Sequence, residues 1–205
     1  MNKQFDRDLR FSQSPENEPM WEALYRRLFG DDLIGTVRVD ATNNAWQKAG
    51  TDRLVVVGCG HCYTIDEKVR RSDWDDILLE FASVARKNGD GWEVVKPGWA
   101  IDSQKGVDFV AYALPKKQRV YVLPFLFLRL AMQKNLDSWR RDSRVKVIEA
   151  FNSGYVSLSL AIPLSMLIKA IGEQMIHTIS VLETPPAKAL LSGQLTMEWG
   201  VENAA

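Results

Sequence analysis

Apolar positions recur along this chain in two rhythms. Trp21, Leu24 and Leu28 fall three and then four apart, which puts them on one stripe of a helix. Ser14 and Pro15 supply a cap and a first-turn proline for that helix, and Gly30 is its stop. Phe125, Leu128 and Met132 form a second stripe, in a helix that Pro124 opens and that runs to about Asn135. Pro163 opens a third, through about Met175. Elsewhere the pattern is that of strands: Leu33 to Asp40, Asp52 to Gly58, His61 to Arg70, Trp74 to Phe81, Val107 to Leu114, Arg119 to Leu123 and Tyr155 to Ile162. Gly58-Cys59-Gly60 reads as a tight hairpin turn, Asn88-Gly89-Asp90-Gly91 as a turn, and Asn43-Asn44 with Gly50 as a loop. The run from Trp74 is expected to pair near the strand before it. Strands and helices alternate without a strict βαβ order. The expected fold is therefore α/β, with a central mixed β-sheet flanked by helices. Residues 1–14 read as a loose leader, 15–180 as one domain, and 181–205 as an extension.

The run from His61 to Arg70 alternates cleanly. Tyr63, Ile65 and Val69 share one face; Thr64, Asp66, Lys68 and Arg70 share the other. One face is core and the other opens on a cleft. Asp is disfavoured within strands, so Asp66 points to a site. Asp52 opens the preceding strand. Two carboxylates on neighbouring strands can bind a hard divalent cation through oxygen. A lysine beside that cation can orient or deprotonate a water and offset charge developing on a phosphate.

Composition narrows the picture. Formal net charge is zero, which argues against a protein that coats nucleic acid without specificity. The charge is uneven, however. Lys116, Lys117, Arg119, Arg129, Lys134, Arg140, Arg141, Arg144 and Lys146 crowd one stretch, opposed there only by Asp137 and Asp142. A basic face beside an acidic metal site would hold phosphates. Arg70 and Arg71, just past Lys68, are placed for the same task, with Lys116 and Lys117. Gln47 precedes the site and either touches substrate or pins its loop. The two cysteines, Cys59 and Cys62, do not make a disulfide scaffold and fit a reducing, cytoplasmic setting. The first residues lack the apolar run of a secretory signal, and none is expected. The most apolar segment, Val120 to Met132, is short and carries Arg129, so no membrane span is expected.

The order Asp52, then Asp66-Glu67-Lys68 on the next strand, resembles the PD-(D/E)XK nuclease superfamily over roughly residues 20–130. Thr51 stands where that family often has proline. The resemblance implies a restriction-endonuclease-like fold, with a four-stranded mixed sheet between helices. It implies a Mg²⁺- or Mn²⁺-dependent nuclease that hydrolyses phosphodiesters, in DNA, and works on two strands as a homodimer. Asp52 and Asp66 would be metal ligands and Lys68 would serve the water. The Glu67 backbone carbonyl would be a third ligand. A helix glutamate, Glu22, would be a fourth by resemblance alone, with Glu18 equally allowed.

Several residues keep alternatives open. Phase puts Glu67 on the core face, where it either pairs with a buried arginine or is turned to the cleft by a bulge. Glu80 sits in an apolar run and could face the cleft. Trp46, Trp92, Trp99 and Tyr112 could stack on bases, although most aromatics in such a domain are core. Cys59-Gly60-His61-Cys62 matches the tetrapeptide of thioredoxin-like disulfide isomerases, so a thiol–disulfide oxidoreductase is the rival enzyme. There a helix follows the motif and lowers the first thiol's pKa; here a strand follows, and no Trp precedes Cys59. Half of a zinc site, which would need His61 or His177 and a further partner, is another reading. The bland reading is a hairpin turn with incidental cysteines. A noncatalytic relative that binds nucleic acid or protein is the third class.

Overall fold

The computed structural model describes residues 14–40, 43–70, 74–89, 91–172 and 177–180. The expected leader up to residue 13, the extension 181–205 and Arg71 lie outside the described residues, as do residues 173–176 at the expected end of the third helix. The helices are α1 (Glu18–Phe29), α2 (Asn44–Ala49), α3 (Phe125–Arg141) and α4 (Leu164–Ile171). The strands are β1 (Leu33–Arg38), β2 (Arg53–Val57), β3 (Cys62–Val69), β4 (Asp76–Asn88), β5 (Gly91–Pro97), β6 (Phe109–Leu114), β7 (Arg119–Pro124), β8 (Lys146–Asn152), β9 (Tyr155–Pro163) and β10 (His177–Ser180).

The fold is α/β, and its strands form two sheets rather than one. A six-stranded sheet has the order β1-β2-β3-β6-β7-β10; its neighbours are antiparallel except β3 and β6, which makes it mixed. A four-stranded antiparallel sheet has the order β5-β4-β9-β8. The expectation that the run from Trp74 pairs near the acidic strand is thus corrected: β4 crosses to the second sheet and pairs with β5 and β9. The neighbour of β3 is β6, in parallel. Alternation says which residues share a face but not which strand lies alongside.

Each face of the mixed sheet has its own core. On one side α1 lays Trp21, Leu24 and Tyr25 over Val55, Val57, Ile65, Ala111 and Ala113. The two alanines of β6 leave room for the helix there. On the other side Val110, Tyr112, Leu114, Tyr121 and Leu123 meet Ile77, Leu79, Phe81, Leu158 and Leu160 of the second sheet, with Phe125, Leu128 and Met132 of α3. β6 is therefore buried on both faces, the usual state of a strand in parallel pairing. The Tyr112 hydroxyl accepts from Leu78 N at 3.1 Å, which ties the two sheets together.

The α1 stripe is confirmed. Ser14 Oγ accepts from Glu16 N at 3.3 Å, and Gly30 ends the helix with φ +52°. The Gly58-Cys59-Gly60 turn closes as expected, with Gly60 N donating to Val57 O at 2.9 Å. The expected loop around Asn44 is instead the short helix α2, closed by Gly50 in the left-handed region at φ +86°. No helix among the described residues is long and apolar enough to cross a membrane.

Candidate active site

Hairpin register builds the site. Arg53 stands opposite Ile65, so the next pair outward is Asp52 with Asp66. Backbone bonds continue past the end of β2: Asp52 N donates to Ile65 O at 2.9 Å, and Val39 N to Asp52 O at 2.8 Å. The Asp52 carboxylate reaches back over β3 and accepts from Glu67 N at 2.9 Å. Asp66 pairs with Val110 and Lys68 with Tyr112, so both side chains lie on the face turned toward the second sheet. Lys68 Nζ donates to Asp66 Oδ1.

The electrostatics of this trio are those of crowded charge. The Asp66 side chain is 7% exposed and that of Lys68 31%. Burial pushes the Asp66 carboxyl up to about 7; Lys68 pulls it down, and the carboxylate of Asp52, within hydrogen-bond reach, pushes it up again. Below that pH Asp66 keeps a proton, which it can donate to Asp52. For Lys68 burial disfavours the charged form, but Asp66 and Asp52 outweigh it and hold the ammonium above its ordinary pKa. Lys68 is therefore a cation and hydrogen-bond donor at neutral pH, not a free amine that could act as a base.

Glu67 points the other way. Its Oε1 accepts from Arg53 Nε at 2.5 Å and from the Tyr25 hydroxyl at 2.8 Å. Arg53 also holds Glu18 through Nη1 at 2.7 Å and Nη2 at 2.8 Å. Of the two routes open to Glu67, the structure takes the buried arginine, beneath α1, on the face opposite Asp66. What Glu67 offers the site is backbone. Glu22 is not brought to the acidic pair either. It lies on α1, on the far face of the sheet, and lines a surface pocket with Arg26, Gly30, Leu33, Ile34, Gly35 and Thr36. Glu18, the other helix acid, is committed to Arg53.

The expected nucleic-acid contacts are scattered. Gln47 is half-buried in α2, and its carbonyl accepts from Lys105 Nζ at 3.4 Å. Arg70 shares the Lys68 face, but its guanidinium is bound to the Asp76 carboxylate and only 14% exposed. Lys116 and Lys117 lie in the turn between β6 and β7, where Lys117 pairs with Asp75. Its lysines are six and seven residues beyond the level of Val110 and Asp66, about 20 Å along the strand at its usual rise. Within the basic stretch, Arg144 pairs with Asp142 and Arg129 donates to Lys105 O at 3.2 Å.

Of the four aromatics considered, Tyr112 is core and Trp92 Nε1 donates to Glu149 Oε1 at 2.9 Å. Trp46 is exposed on α2. Trp99 alone reaches the site, with Lys68 Nζ 5.6 Å from its ring centroid. Trp99 N donates to Glu80 Oε1 at 3.4 Å, which brings Glu80 of the second sheet to the cleft. Asp108, which the sequence pattern does not single out, caps the same face: its Oδ2 accepts from Thr64 N and Thr64 Oγ1, both at 2.8 Å. Its signal would have been the parallel pairing of β3 with β6, which cannot be seen in one sequence.

Cys59 lies in the β2–β3 turn and Cys62 opens β3, both as exposed free thiols. No helix follows them to stabilise a thiolate. Among the described residues no group of three or more His, Cys, Asp or Glu side chains is arranged to hold a metal ion. The acidic pair nevertheless suits one kind of ion. Magnesium-like cations commonly take one or two carboxylates and complete their shell with water. A proton shared between two carboxylates marks a place that a cation can take over. No family profile, no curated protein sequence and no solved structure matches this chain.

Proposed function

We propose that this protein is a metal-dependent nuclease of the PD-(D/E)XK type, with a restriction-endonuclease-like core in its mixed sheet, acting on DNA. The observation that carries the reading is the convergence of Asp52, Asp66 and Lys68 on one face of two adjacent strands. Asp52 and Asp66 would hold Mg²⁺ or Mn²⁺, with the Glu67 backbone as a further donor. Bound there, the ion would supply a Lewis acid for the scissile phosphate. Lys68, a cation at neutral pH, would donate hydrogen bonds to the attacking water and to a non-bridging phosphate oxygen. It would thereby offset the charge that grows as water adds to phosphorus, losing its proton to solvent, while the bond to the leaving oxygen breaks. Asp52 is held in place by the Glu67 amide, so its oxygens are oriented before any substrate arrives.

The test incubates plasmid and single-stranded DNA with Mg²⁺ or Mn²⁺ and the native protein, Asp66→Asn or Lys68→Ala. Cleavage by the native protein alone, abolished by chelation, is the expected result. Intact DNA under all conditions with the native protein overturns the enzyme reading. Retention of DNA without cleavage would then favour the noncatalytic relative.

A further inference from the structure

Glu80 is an acid that the strands of the acidic pair do not supply. It stands in β4, where the register against β9 slips between Glu80 and Ala82 and that against β5 slips between Ala82 and Val84. Such irregularities re-aim side chains and occur beside active sites. The segment after β5 is stitched to this point. Gly98 N donates to Phe81 O at 3.0 Å and Ala100 N to Glu80 O at 3.1 Å. A Cβ on Gly98 would lie 2.3 Å from the Glu80 carbonyl oxygen, so only glycine allows the approach. Trp99 is carried with it. Its amide reaches the Glu80 carboxylate and its ring faces Lys68. Lys68 thus touches Asp66 on its own strand and faces the ring of Trp99, whose amide holds Glu80 of the other sheet.

This arrangement resolves a conflict inside the proposed site. Lys68 Nζ occupies Asp66 Oδ1, an oxygen of the carboxylate a cation would take. An ammonium and a divalent ion repel each other and compete for the same lone pairs. Lys68 must leave when the ion enters, yet a partly buried ammonium needs a partner. The lysine stem is flexible, and an aromatic face attracts a passing cation. Glu80 accepts from the amide of that same Trp99, and its charge is among those that favour the Lys68 ammonium.

We propose that Glu80 is a positioning residue for Lys68: when a divalent cation takes Asp52 and Asp66, the Lys68 ammonium moves across Trp99 to Glu80, and from there it meets the phosphate. The inference rests on the reading of the acidic pair as a cation site. Glu80 acts through Lys68 and is not itself a ligand of the ion.

A double-mutant cycle on Mn²⁺ binding tests it, read by calorimetric titration of the full chain without DNA. The proteins are native, Glu80→Gln, Lys68→Met and the double variant, each checked for folding by its thermal melt. Glu80→Gln is expected to weaken Mn²⁺ binding about tenfold, because Lys68 then keeps its hold on Asp66. Lys68→Met is expected to tighten it, and Glu80→Gln to change affinity less than about twofold in that background. Glu80→Asp, which keeps the charge one methylene shorter, is expected to fall between native and Glu80→Gln, and it replaces Glu80→Gln in the cycle if that variant does not fold. Equal weakening in both backgrounds overturns the proposal, since Glu80 would then act on the ion or on the fold directly. No effect in either background also overturns it. A native protein that binds no Mn²⁺ removes the cation site itself, and this inference with it.

Discussion

The backbone amide of Glu67 donates to the Asp52 carboxylate at 2.9 Å, across the two strands of one hairpin. The same residue sends its side chain to Arg53 on the opposite face. Glu67 thus fixes Asp52 with its main chain and buries a charge pair beneath α1 with its side chain. The trio above the sheet and the network below it share a backbone.

The trio should divide its tasks. Asp52→Asn and Asp66→Asn are expected to lower Mn²⁺ affinity and DNA cleavage together. Lys68→Ala is expected to lower the cleavage rate by about 10²–10³-fold, the usual loss for one electrostatic donor, while binding Mn²⁺ at least as tightly as the native protein. Single-turnover cleavage at saturating Mn²⁺ separates the two classes.

Acidity should tune the same site. With the Asp66 carboxyl near 7, a cation must displace a proton below that pH. Mn²⁺ affinity is expected to fall about tenfold per unit below pH 7 and to level off above it. For the metal-free protein the sign is the reverse. The folded pKa lies above the ordinary carboxyl value of 3.8, so the stabilising contribution of Asp66 is complete below pH 3.8 and is lost as pH rises through about 7. Denaturation in chelator should show that loss between about pH 4 and 7 for the native protein, with no further loss above, and Asp66→Asn should remove it.

How much of this was legible follows from where each piece of information resides. The hairpin, the shared face of Asp66 and Lys68 and the helix stripe at Trp21 and Leu24 are local patterns, and local pattern determines them. Glu22 depended on which face of the sheet α1 covers, and the helix covers the face of Ile65 and Glu67 rather than that of Asp66. β5 and β8 escape detection because both are largely exposed edge strands, with no buried face to impose alternation. The link from Glu80 through Trp99 to Lys68 needs a second sheet, a register slip and the glycine at 98. None of these has a signature in the residues around Glu80.

The network under α1 carries a stability prediction. Arg53 has 2% of its side chain exposed and bridges Glu67 and Glu18. Arg53→Met leaves Glu67 buried without its cation and is expected to cost about 3–5 kcal/mol. Replacing both members, Arg53→Met with Glu67→Met, is expected to cost less than the single change, because buried pairs are often matched by apolar packing. Urea denaturation of the two variants decides it.

Thr51 supplies the opposite case. It is fully buried beside Asp52, and among the described residues its Oγ1 is the only buried side-chain polar atom without a hydrogen-bond partner. A buried hydroxyl without a partner costs about 1–3 kcal/mol of desolvation that nothing returns. Valine has nearly the same shape and no hydroxyl. Thr51→Val is therefore expected to stabilise the fold by about 1 kcal/mol, seen as a higher urea midpoint with an unchanged slope. A loss of stability would mean that the hydroxyl is bonded in solution. In that event a parallel drop in Mn²⁺ affinity would tie Thr51 to the orientation of Asp52, and unchanged affinity would confine its role to packing.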